Sequence, residues 1–184
     1  QYQDFFYGYN KEGLEDFEDL YEFSPRDINR GLISKKYGYS LDEINSLTKS
    51  WNIYRQDKVT ELVKFIYEFR QNYYPEIKIN VGVNENIFDA KNRWYQNWDE
   101  WLENQYIDLV VIKNNKSNFD DFIYNHMLIN DNYFPDKNKM LLVKFSSNQE
   151  SLNIADKIFY LKLLGYSGVG IDSRKLDENN LDWY

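Results

Sequence analysis

The 184-residue chain is long enough for one sizeable core, and 18% of it is aromatic. A formal net charge of −8 disfavours a nucleic-acid surface, which needs a basic stripe against phosphates, and disfavours anionic membranes too; neutral or cationic partners, sugars among them, stay open. Without cysteine there is no disulfide framework, thiolate metal site or cysteine nucleophile, and no apolar run approaches the ~20 residues of a membrane span.

In chain order, "QYQDFFYGYN" reads as the second half of a buried strand that ends in an acid and runs straight into a turn. Residues 9–50 read as a long insertion carrying small helices. Its first part is acidic; Ser24-Pro25 then gives a cap followed by proline at the first helical position, and Ser40 with Glu43 forms a capping box. From Asp57 the spacing of Val59, Leu62, Val63, Ile66 and Phe69 predicts a helix with one apolar face, stopped by Pro75. Four short apolar runs follow as strands, at 76–83, 106–113, 139–147 and 166–173. Between them, "NRWYQNWDEWLENQ" puts Trp94, Trp98 and Trp101 on one helical face, where core packing outweighs a ligand site. Residues 114–138 hold one short helix and a polar loop. "SLNIADKIFYLKLLG" is a helix with Gly165 as its C-cap. Strands alternating with helices predict a parallel α/β sheet with crossover connections.

The strands are two-faced. Ile77, Ile79, Val81 and Val83 alternate with Glu76, Lys78, Asn80 and Gly82, while Val169 and Ile171 alternate with Gly168, Gly170 and Asp172. An open sheet sandwiched by helices would be apolar on both sides. One apolar and one polar or small face fits a barrel, with helices outside and polar residues within. At the C-terminal strand ends, where barrel sites gather, the inward set is Asn84, Lys113, Lys144, Ser146 and Asp172, with Glu85 just beyond. The bland alternative is that these side chains only hydrogen-bond one another and water. His126 has no second His or Cys nearby, so no metal site is expected, and nothing implies a cofactor. "GYSGVG" lacks the Lys-Ser/Thr of a phosphate loop, so its glycines read as close packing.

Several runs together resemble the glycosyl hydrolase-like family 10 proteins, bacterial envelope barrels. The family's Phe-Asp-Asp-Tyr-Phe-Tyr-Pro run is matched by Tyr2-Gln3-Asp4-Phe5-Phe6-Tyr7-Gly8. Its Trp-Arg-Arg helix start is matched by Tyr54-Arg55-Gln56. Its Trp- or Tyr-spaced helix leading into Gly-x-x-Asp-Tyr is matched by "YQNWDEWLENQYIDLVVIKNN", which keeps Trp98, Trp101 and Asp108. The resemblance covers residues 1–8 and 51–115, with "LGYSGVGIDS" as a last strand. It departs at Gln3, where the family has its first Asp, at Gln105 for Gly, and at Ile112 and Asn115 for Pro and Tyr.

The resemblance implies a (β/α)8 TIM barrel. The chain, a single domain over 1–184, would cover roughly strands 4 to 8, and an upstream barrel half or another copy would complete it. It also implies a cell-envelope or secreted location, although no signal peptide is visible in this chain. The implied function is binding, and favourably hydrolysis, of an envelope polysaccharide such as peptidoglycan glycan. Asp4 and Asp172 are the candidate acids of a glycosidase, which needs two carboxyl groups, one held protonated and one ionised. Gln3, Tyr7, Asn84, Glu85, Lys113, Lys144 and Ser146 are candidate substrate-binding residues; Tyr7 offers an aromatic face for sugar stacking. The alternative is a non-catalytic carbohydrate-binding or interaction module, since the amide of Gln3 binds but supplies no acid or base.

Overall fold

The computed structural model describes residues 11–29, 36–114, 118–132, 140–146 and 151–172. They form seven helices and four strands: α1 (Lys11–Tyr21), α2 (Pro25–Asn29), α3 (Leu41–Tyr73), β1 (Asn80–Asn84), α4 (Ile87–Trp94), α5 (Trp98–Glu103), β2 (Leu109–Asn114), α6 (Phe119–Asn132), β3 (Leu141–Ser146), α7 (Ser151–Leu163) and β4 (Gly168–Asp172). The expected first strand at residues 1–7 lies outside the described residues.

The architecture is mixed α/β. All four strands are parallel and lie in chain order, β1-β2-β3-β4. Every buried strand residue of the main core has one parity: Val83 on β1, Val110 and Ile112 on β2, and Leu141, Val143 and Phe145 on β3. The rest of that core comes from Ile107, just before β2, and from the helices through Ile87, Ala90, Trp98, Trp101, Leu102, Phe122, Ile129, Ile154 and Leu161, with Val59 and Val63 of α3 packed against it. The described helices that reach the sheet therefore cover one face. The opposite face carries Asn80, Gly82, Asn84, Leu109, Val111, Lys113, Leu142, Lys144, Ser146, Gly168, Gly170 and Asp172, aligned across the strands by the parallel register.

A second cluster lies before the sheet. Leu14, Phe17, Phe23, Trp51 and Tyr54 bury one another where α1, α2 and the first half of α3 meet. Phe17 sits edge-on to Trp51 at 4.9 Å and to Tyr54 at 5.4 Å, a preferred aromatic arrangement. Arg55 joins the two regions: its guanidinium stands 4.9 Å from the Trp51 ring and 4.1 Å from the Tyr95 ring.

Three elements differ from the sequence expectation. The expected helix start at Asp57 is instead the middle of α3, which runs unbroken for 33 residues. Its start is the Ser40 capping box: Glu43 N–H donates to Ser40 Oγ, and the Glu43 carboxylate accepts from Ser40 N–H at 2.8 Å. No Gly or Pro interrupts residues 41–73, and Trp51, Arg55, Val59 and Val63 keep a four-residue step that carries one buried stripe from the first cluster to the second. The boundary of the insertion at residue 50 thus falls inside a helix. The Trp94–Trp98–Trp101 segment is two helices. Tyr95 breaks it with φ 54°, and Gln96 turns to accept Asn84 N–H on its Oε1 at 3.0 Å, tying the break to the end of β1. Finally, the helix after β2 is a full 14 residues, Phe119–Asn132.

Candidate functional site

Two groups of polar side chains gather at the C-terminal ends of the strands, one on each face of the sheet. The first is the open polar face. Asn84, Lys113, Lys144, Ser146 and Asp172 share its parity, so the structure brings these expected site residues together. Lys144 Nζ lies 3.2 Å from Asp172 Oδ2, with both side chains partly exposed. Lys113 is the register partner of Asn84 on one side and of Lys144 on the other. Asn84 has a local duty as well: its Oδ1 accepts Asn86 N–H at 3.0 Å, the turn that releases the chain from β1 toward α4. Asp172 is the one carboxyl group on this face among the described residues. Gln3, Asp4 and Tyr7 lie outside the described residues.

Glu85 goes elsewhere. Being one residue past Asn84, it follows Val81 and Val83 onto the helix side, where it is buried. There Asn114 Nδ2 donates to Glu85 Oε1 at 2.7 Å, and Lys157 Nζ of α7 donates to Asn114 Oδ1 at 3.4 Å. His126 of α6 is fully buried beside them: its Nε2 stands 3.7 Å from Glu85 Oε1, and its Nδ1 is 2.8 Å from the Tyr166 hydroxyl. Burial raises the Tyr166 pKa far above its ordinary value, so the phenol stays protonated and donates to Nδ1. That bond leaves the proton of the neutral imidazole on Nε2, facing Glu85. Desolvation, helped by the nearby Lys157 ammonium, pushes the His126 pKa down to about 3. Desolvation also lowers the Lys157 pKa, with Glu85 acting against it. The Lys157 ammonium lies 5.2 Å from the Phe122 ring centroid, a further contact for a buried cation.

The sequence carried a signal for this second group that residue chemistry alone did not raise. Glu85 continues the parity of Val81 and Val83, and Asn114 that of Val110 and Ile112, so each is a polar residue at a core position of its strand. Its partners sit mid-helix on α6 and α7, and no local pattern pairs them. Buried between sheet and helices, these groups orient and hold one another. Asp108, kept in the family resemblance, works at the other end of the sheet. Its Oδ2 accepts Ile79 N–H at 2.7 Å, with Arg70 Nη2 at 3.7 Å, which fixes the entry to β1. Trp98 and Trp101 are core residues, and Trp101 Nε1 donates to Thr60 at 2.9 Å.

Among the described residues no three His, Asp or Glu side chains gather as metal ligands, and no helix is long and apolar enough to cross a membrane. In comparisons with family models, curated proteins and solved structures, nothing matches the chain.

Proposed function

We propose that this chain is part of a glycoside-hydrolase-like barrel and that its polar sheet face binds an envelope polysaccharide such as peptidoglycan glycan. The observation that carries the reading is the sidedness of the sheet. Four parallel strands in chain order bear helices on one face. On the other, Asn84, Lys113, Lys144, Ser146 and Asp172 line up toward the C-terminal strand ends, where barrel enzymes place their sites. Amide, hydroxyl, ammonium and carboxylate groups side by side suit the many donors and acceptors of a sugar chain. Strands beyond β1 and β4, from an upstream barrel half or another copy, would close the sheet around that face.

Binding is the better supported part of the reading, because Asp172 has no carboxyl companion on this face among the described residues and hydrolysis takes two. The catalytic version pairs Asp172 with Asp4, one as general acid and the other ionised. The test measures both reducing-end release and binding, using peptidoglycan glycan and chitin oligomers, for the parent chain and for Asp4→Asn and Asp172→Asn. A hydrolase loses at least about 100-fold in rate with either change, equivalent to about 2.7 kcal/mol. Binding without turnover leaves the carbohydrate-binding module. No binding of either glycan defeats the sugar reading.

A further inference from the structure

The cation of Lys113 is set differently from that of its neighbour. Lys144 has a carboxylate, Asp172, at 3.2 Å. Lys113 has none within ion-pair distance among the described residues, and its side chain leans the other way, across β1. A Cβ placed on Gly82 would lie 2.7 Å from Lys113 Cε and 3.3 Å from its Nζ, so the lysine rests on the bare backbone of that glycine. The register puts Gly82 opposite Val111, two residues before Lys113, and on the same polar face. Any side chain at position 82 would push the ammonium away. Lys113 is itself exposed, so its ammonium stays open to a ligand while its stem lies along β1. Lys144 is the register partner of Lys113 on the adjacent strand, and among the described residues only Lys144 has a carboxylate beside it.

We infer that Lys113, seated on Gly82, is a specificity-determining residue that reads a carboxylate on the polysaccharide. This rests on the glycan reading above and narrows it to acidic chains. A neutral sugar is satisfied by the amide, hydroxyl and acid groups of the face. A carboxylate gains a charge-assisted hydrogen bond from Lys113, roughly twice as strong as a neutral one. In a chain of net charge −8, an acidic ligand also needs such a local cation to approach.

The test compares de-peptidated peptidoglycan glycan, which bears a carboxylate on every second sugar, with the same strands after their carboxyl groups are reduced to alcohols. Affinities of the full chain are measured by calorimetry at about 50 and 300 mM NaCl. The parent should prefer the acidic strands at least ~10-fold at low salt, and the preference should shrink at high salt. Lys113→Gln should bring the ratio of the two affinities close to one, and Gly82→Ala, which keeps the charge but displaces the tip of the lysine, should lower it by less. Lys113→Arg should retain a preference, which shows that the loss in the other variants is not misfolding. A parent that binds both forms equally, or a Lys113→Gln protein that keeps the preference, overturns the carboxylate site and leaves the glycan reading standing. If neither form binds, the glycan reading and this inference fall together.

Discussion

The two faces of the sheet are built from the same strands, yet each ends in a carboxyl group placed for a different task. On the helix side, Glu85 is buried, accepts from Asn114 and is enclosed with Lys157 and His126. On the open side, Asp172 is partly exposed and shares one ion pair with a partly exposed lysine. Alternation along a strand decides which acid goes where: an even step past Val83 enters the core, an odd step stays on the polar face. An enclosed, fully partnered acid holds the fold together. A partly exposed acid beside a lysine can still be reached by a ligand. Substitutions on the two faces should therefore sort into losses of stability and losses of binding.

The largest effect is expected from the apolar part of the helix side. Phe145→Ala removes a fully buried ring and should cost about 3–5 kcal/mol in urea unfolding, whereas Lys144→Ala on the adjacent position of the same strand should stay within about 0.5 kcal/mol. Comparable losses at both positions would erase the distinction between the faces. Next comes the buried group. Glu85→Gln leaves Lys157 in the core without its charge partner and should cost about 3 kcal/mol; pairing Glu85→Leu with Lys157→Met should recover most of it. A double variant no more stable than Glu85→Gln would show that the two do not act as a unit.

A smaller effect comes from His126. Its folded pKa, about 3, lies below the ordinary 6.5, so the unfolded chain takes up a proton that the folded one refuses. Its stabilising contribution is complete above pH 6.5 and is lost as the pH falls toward 3. Between pH 6 and 5 that amounts to about 1 kcal/mol, at about 1.4 kcal/mol per pH unit. Unfolding curves of the parent and of His126→Gln, compared across this window, should differ by that slope; parallel curves would mean that the imidazole titrates normally. Smallest of all, Asp172→Asn should change stability by less than about 1 kcal/mol, because its ion pair with Lys144 is solvent-screened, while lowering glycan affinity.

Much of this architecture was legible in the sequence. The four strands, their alternation and the polar set Asn84, Lys113, Lys144, Ser146 and Asp172 follow from period-two patterning, and the register then places those residues on one face. Gly165 ends α7 as read: with φ +78° it lets Gly165 N–H and Tyr166 N–H return to the carbonyls of Lys162 and Leu161. The extent of α3 was missed, since the capping box at Ser40 and the stripe beginning at Val59 were read as separate helices. The break at Tyr95 was hidden because it depends on Gln96 reaching the end of β1, a contact that helical periodicity does not encode. The buried group was missed for a related reason. His126, Lys157 and Tyr166 come from separate elements, and only the folded sheet brings them to Glu85.

The most direct test of the central claim is a residue-resolved titration. Amide NMR spectra of the full chain are followed while de-peptidated peptidoglycan glycan is added up to about 1 mM, where weak binding still registers. The account predicts shifts concentrated at Gly82, Lys113, Lys144, Ser146 and Asp172, with Phe122, Lys157 and Tyr166 behind the sheet little changed. Shifts confined to the helices, or none at the highest concentration, would contradict a glycan site on the polar face.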